Sequence, residues 1–243
     1  MTSPSRLAAA LSALAAVVVI AGCTVGPGAT SPQSTSNPSD QAEAPDMDAD
    51  DMAGALLDDG RMFAVVTWGS SSCVPQVSDV TAQGQVVSVT LQDAETEKVC
   101  TADMAQRASV AALPEGVDPT QEITLDVTYK DLSDDVEIGG QQVTGMPGQS
   151  TTYEPSAGWF DDGSLVLLTW GSSGCPPIVS TVEGSGDAGT VEFATVDGQV
   201  CTMDMAPRAT LISFGEGAVD TDADFTLTLV GGGIDGVVTI PAH

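Results

Sequence analysis

The sequence predicts an all-β protein made of two tandem copies of one small domain. Three observations carry that prediction: a pair of motifs that occurs twice, apolar alternation of period two at matching places, and Gly, Pro and Asp clusters between the apolar runs. The first motif runs Thr67-Trp68-Gly69-Ser70-Ser71-Ser72-Cys73 and returns as Thr169-Trp170-Gly171-Ser172-Ser173-Gly174-Cys175. The second runs Val99-Cys100-Thr101-Ala102-Asp103-Met104-Ala105-Gln106-Arg107 and returns as Val200-Cys201-Thr202-Met203-Asp204-Met205-Ala206-Pro207-Arg208. The Trp and first Cys recur at an offset of 102 and the second Cys and Arg at 101, so one deletion separates otherwise parallel copies.

In chain order, a helical turn is expected over residues 52–57. Asp58-Asp59-Gly60 then marks a turn into a strand from Met62 to Trp68, and Asp161-Asp162-Gly163 does the same for Leu165 to Trp170. Val87, Val89 and Leu91 alternate with Ser88 and Thr90, and Val191 and Phe193 flank Glu192 in the second copy. Ile123, Leu125, Val127 and Tyr129 alternate without a miss, and Phe225, Leu227 and Leu229 repeat the pattern. Such alternation means one buried face and one wet face. Helical period is nowhere sustained. With roughly six or seven short strands per copy, each is expected to be an antiparallel β-sandwich or small barrel. The expected organisation is a leader over 1–22, a disordered acidic linker over 23–54, a β domain over 55–138, a linker over 139–157 and a second β domain over 158–243.

Five cysteines sharpen the picture. Cys73 with Cys100 and Cys175 with Cys201 fall at equivalent places, leaving Cys23 alone. Within-copy pairing would close loops of about 27 residues, each bond contributing about 3.5 kcal/mol on the chain-entropy model, and would require an oxidising compartment. Buried free thiols are the alternative. A thiolate zinc site lacks CxxC spacing and a nearby His, so no metal is expected.

The amino-terminal stretch supplies the compartment. Arg6 precedes an apolar run from Leu7 to Ala21, broken only by Ser12 and ending Ile20-Ala21-Gly22-Cys23. This reads as a secretory signal peptide, and the run is short for a permanent membrane span. Its ending resembles the bacterial lipobox. That resemblance implies cleavage after Gly22, a diacylglyceryl thioether on Cys23 and anchoring to the cell membrane on its extracytoplasmic face. Scarce Lys with abundant Ala, Gly, Val, Thr and Asp resembles the composition of a high-GC actinobacterial chain. The repeated body carries the motifs of no family that can be named. From Thr24 to Asp51 the chain is polar, acidic and free of aromatic residues, the composition of a disordered tether with a span of roughly 30 Å.

Charge and chemistry narrow the function. Asp and Glu number 34 against 6 Lys and Arg, a formal charge of -28, which repels nucleic acid at long range. The only histidine is His243, so no Ser–His–Asp triad can be placed, and no cofactor is implied. Asp46-x-Asp48-x-Asp50 and Asp220-x-Asp222-x-Asp224 imitate the opening of a calcium loop but lack its Gly and closing Glu. The Trp-Gly-Ser-Ser stretch has two readings. As a fold nucleus, Trp68 and Trp170 pack over the disulfides. As a binding loop, Ser70, Ser71, Ser172 and Ser173 present hydroxyls beside an exposed indole. Arg107 and Arg208 follow Asp103 and Asp204 by four places and are expected to meet them in a structural pair, with anion binding as the alternative. The sequence therefore points to a membrane-anchored, non-enzymatic binding or interaction module with an unknown envelope or extracellular ligand. The rivals are a structural spacer of the envelope and a hydrolase that uses paired carboxylates.

Overall fold

Two apolar runs, Met62-Phe63-Ala64-Val65-Val66 and Leu165-Val166-Leu167-Leu168, dictate the architecture because every residue in them is buried. A strand with one wet face alternates; a strand buried throughout must have packing on both sides. The computed structural model describes residues 51–94, 99–196, 198 and 200–243, and within them the chain is all-β with two disulfides and no α-helix. The leader, Cys23 and the acidic stretch up to residue 50 lie outside the described residues.

The first repeat forms seven strands: β1 (Ala53–Leu57), β2 (Met62–Gly69), β3 (Gln76–Gln83), β4 (Val86–Gln92), β5 (Ala105–Ala112), β6 (Ile123–Tyr129) and β7 (Leu132–Ile138). The second forms their equivalents: β8 (Ser156–Asp161), β9 (Ser164–Gly171), β10 (Val179–Ser185), β11 (Ala188–Phe193), β12 (Ala206–Ser213), β13 (Phe225–Gly231) and β14 (Gly236–Ile240). Each repeat divides its strands between a three-stranded sheet and a four-stranded one. The orders are β1-β2-β5 with β3-β4-β6-β7, and β8-β9-β12 with β10-β11-β13-β14.

Strand alternation assigns each side chain to a layer. Phe63 and Val65 of β2 pack with Val87, Val89, Leu125 and Val127 between the sheets of the first repeat. Leu165 and Leu167 of β9 pack with Val191, Phe225 and Leu227 in the second. The intervening residues Met62, Ala64 and Val66 meet Val166 and Leu168 in a third core, between the two three-stranded sheets. The result is one solenoid-like stack of four sheets and three apolar layers rather than the two separate sandwiches or barrels expected. Each fully buried Leu or Val in these layers contributes about 1.5–3 kcal/mol of apolar burial. The stack is tight where β1 meets β8, since a Cβ on Gly158 would lie 2.2 Å from the Leu56 carbonyl oxygen.

Two further expectations are corrected. Residues 53–57 form strand β1, not a helical turn, because Leu56 and its neighbours Ala55 and Leu57 alternate between two cores. The four-stranded sheets are also mixed rather than antiparallel. Because β5 and β12 cross to the other sheet, the chain returns so that β4 pairs β6 in parallel and β11 pairs β13 in parallel. The segment between β7 and β8 folds back on the first repeat: Gln141 N–H donates to Pro119 O at 3.0 Å, and Thr144 donates from N–H and Oγ1 to Asp59. Burial pulls the Asp59 carboxyl upward, but the Thr144 hydrogen bonds and Arg61 outweigh it and hold it below the ordinary carboxylate value.

Candidate functional site

The repeated motifs meet at one end of each three-stranded sheet. Trp68 of β2 pairs with Gln106 of β5 and Thr67 with Arg107, so the chain leaves β2 and enters β5 at the same edge. Trp170 and Thr169 pair with Pro207 and Arg208 in the same way. The Gly-Ser-Ser loop and the Cys-Thr-x-Asp loop are thereby brought side by side, and the Cys73–Cys100 and Cys175–Cys201 disulfides bind them together across 27 and 26 residues.

An arginine closes each loop from beneath. Arg107, 6% exposed, donates from Nη1 to Cys73 O at 2.6 Å and from Nη2 to Trp68 O at 2.9 Å. Arg208 donates to Cys175 O at 3.0 Å and to Trp170 O at 2.8 Å. Each guanidinium thus fastens the carbonyls at both ends of the Gly-Ser-Ser turn, and each turn also closes by its own hydrogen bond, Cys73 N–H to Ser70 O and Cys175 N–H to Ser172 O, both 3.2 Å. Gly69 and Gly171 make this approach possible. A Cβ there would lie 2.6 Å from the Arg107 guanidinium or 2.8 Å from that of Arg208. Both Nε atoms are buried with no hydrogen-bond partner, an uncommon state for a charged side chain.

The expected Asp–Arg pair is therefore not formed. Among the described residues neither Arg107 nor Arg208 has a carboxylate within ion-pair distance, because backbone carbonyls occupy their Nη donors. The aspartates face the other way. Asp103 accepts from Thr101 Oγ1 and, at 3.2 Å, from Ser71 N–H; Asp204 accepts from Thr202 Oγ1 and, at 3.2 Å, from Ser173 N–H. Hydrogen bonds from Ser71 and Thr101 lower the Asp103 carboxyl to about 2, and those from Ser173 and Thr202 do the same for Asp204. The serine hydroxyls are spent in the same network: Ser70 Oγ lies 2.8 Å from Thr101 Oγ1, and Ser172 Oγ 2.7 Å from Thr202 Oγ1.

The tryptophans are not exposed platforms. Trp68 and Trp170 are half-buried on the strand face that carries Val66 and Leu168 toward the third core, and the Trp170 ring meets Tyr153 edge-on at 5.1 Å. What does stand in solvent is aliphatic. Val99 is 89% exposed and Met104 64% beside the first disulfide; Val200, Met203 and Met205 are 94%, 105% and 62% exposed beside the second. The sequence contained that signal, since each motif sets Val and Met around Cys-Thr-x-Asp, but residue type alone does not say which apolar groups stay wet.

Elsewhere, His243 lines a cavity of about 360 Å³ with Asp135, Glu137 and Trp159, and among the described residues no serine borders it. Among the described residues no cluster of His, Cys, Asp and Glu is placed to hold a metal ion, and no helix is long and apolar enough to cross a membrane. No family model, curated protein or solved structure matches this chain.

Proposed function

We propose that the chain is a lipoprotein held through Cys23 to the extracytoplasmic face of a bacterial cell membrane, and that it works as a non-enzymatic binding module of the envelope. Its acidic amino-terminal stretch serves as the tether. The observation that carries the binding part is where the apolar surface lies. Of fourteen large hydrophobic residues exposed among the described ones, eight flank the two disulfides: Val74, Val99 and Met104 in the first repeat, and Ile178, Val196, Val200, Met203 and Met205 in the second. Exposed apolar side chains gathered on rigid loops are the signature of a recognition surface, and a spacer has no use for them. The disulfides support an oxidising, extracytoplasmic location.

Two arms test the proposal. In bacterial cells producing the full chain, the protein fractionates with membranes and Cys23→Ser releases it to the medium; unchanged retention of that variant refutes the anchor. With full chain purified in detergent, Met104→Ser combined with Met203→Ser and Met205→Ser lowers retention on isolated envelope fragments by about tenfold, the loss expected when anchor side chains are truncated. A structural spacer shows no change.

The hydrolase reading keeps one specific place. Asp135 and Glu137 stand two residues apart on β7, about 6.8 Å along the strand, and border the His243 cavity. Release of nitrophenol from nitrophenyl glycosides by the full chain, abolished by Asp135→Asn, would favour it; no release disposes of it.

A further inference from the structure

The two repeats build the same arginine clamp but line it differently. In the first, Tyr129 stands with its ring 5.9 Å from Arg107 Cζ, and its hydroxyl donates to Asp93 Oδ1 at 2.6 Å. Lys130 Nζ lies 2.8 Å from Asp93 Oδ2 and 4.8 Å from the Tyr129 ring centre. Hydrogen bonds from Lys130 and Tyr129 hold the Asp93 carboxyl below its ordinary value, and the Arg107 charge acts in the same direction. The first clamp thus comes with its own aromatic ring, and a carboxylate beyond ion-pair distance of Arg107 holds that ring's hydroxyl.

At the equivalent positions the second repeat has neither. At the offset of 102, Thr195 stands for Asp93, and Gly231-Gly232-Gly233 stand for Tyr129-Lys130-Asp131. The place is open: a pocket of about 410 Å³ is bordered by Thr195, Gly232, Gly233, Ile178, Ile234 and Arg208, and among the described residues Arg208 is the only charged one lining it. Its Nη atoms each hold one backbone carbonyl, and its Nε is buried without a partner among the described residues. Burial alone pushes the Arg208 guanidinium below its ordinary value.

We propose that this pocket binds a small organic carboxylate with an apolar body, the carboxylate taking the place that Asp93 holds in the first repeat, within the field of the arginine, and the apolar body filling the space that the Tyr129 ring takes there. Each Arg208 Nη carries a second hydrogen beyond the one given to a carbonyl, so the guanidinium can still meet a carboxylate, and a charge-assisted contact in a partly dry site is stronger than a neutral one. A bare inorganic anion gains nothing from Ile178 and Ile234 and still meets the field of a chain with formal charge -28. The first repeat, already filled, takes no such ligand. The proposal deepens the binding reading above by naming a ligand class, and it rests on that reading for the claim that this end of the fold is a working surface.

The test uses full chain purified in detergent, phenylacetate as probe, phenylacetamide as its uncharged counterpart, and the methyl NMR signals of Ile178 and Ile234. Phenylacetate produces a saturable shift of both signals, and phenylacetamide binds at least about tenfold more weakly, the difference of one charge-assisted pair. Thr195→Asp, at an exposed position outside any strand, supplies the carboxylate internally and suppresses the phenylacetate shift. No saturable shift, equal binding of phenylacetamide, or undiminished binding by Thr195→Asp each overturns the proposal. If phenylacetate fails while the methionine variants still lose envelope retention, the ligand class falls and the binding module stands; if both fail, both fall.

Discussion

Arg107 and Arg208 make the same pair of carbonyl contacts, yet one sits by a tyrosine that an aspartate and a lysine hold while the other shares a pocket with two glycines and a threonine. The difference separates what the fold needs from what it is free to vary. The guanidinium, the glycine beside it and the disulfide are present in both copies, where they hold the turn that follows β2 or β9. The lining is absent from one copy, and that copy still closes its turn with the same hydrogen bonds. A structural clamp with an optional filling is how duplication can turn one stabilising contact into a pocket.

The comparison can be broken in order of size. Replacing both cysteines of either pair by serine should lower stability by about 3.5 kcal/mol, and nearly equally, because the closed loops are 27 and 26 residues long. Denaturant titration that finds one bond dispensable would show that the copies are not equivalent clamps. Gly69→Ala and Gly171→Ala should each cost about 2–3 kcal/mol, since the new methyl displaces a buried guanidinium from its carbonyls. The larger loss belongs at Gly69, where the approach is closer and Arg107 is more deeply buried. Tyr129→Phe should cost about 1 kcal/mol by removing one hydrogen bond to Asp93, an effect with no counterpart in the second repeat.

The smallest effect is a shared pH dependence. The folded carboxyls of Asp103 and Asp204 lie at about 2, below the unfolded value of about 3.9, so their contribution is full above the unfolded value and is lost as pH falls toward 2. The amide signals of Ser71 and Ser173 should move together across that window. If either amide moves above pH 5 instead, the Thr–Asp network is not what holds its loop.

How much of this was legible follows from local versus global information. Repeats, strands and sulfur pairing are written in short stretches, so β2, β4, β6, β9, β11 and β13 could be read directly from alternation or apolar runs. The third core was also present in the text: Met62 to Val66 and Leu165 to Leu168 do not alternate, and a non-alternating run means cover on both faces. Reading each repeat as self-sufficient hid that meaning. β1 is not legible from its own residues, because five small and aliphatic residues lack enough length to distinguish a helical turn from a strand. The Arg clamp was beyond reach for a different reason. Asp103 and Arg107 are close in sequence, but their partners are Ser71 N–H and Trp68 O, supplied across the sheet by register. The contrast between Asp93 and Thr195, and between Tyr129 and Gly231, was available from aligning the copies, but its meaning depended on seeing both beside an arginine.

The third core makes the two repeats one body, and that claim can be tested by perturbing one repeat and reading the other. With Trp68→Phe and Trp170→Phe, Trp159 becomes the only tryptophan, and it is 1% exposed inside the core of the second repeat. Removing the first repeat's disulfide by Cys73→Ser and Cys100→Ser should then shift the Trp159 fluorescence transition in denaturant to lower concentration, in step with the circular-dichroism transition. A Trp159 transition that stays in place while the dichroism splits into two steps would contradict the four-layer stack.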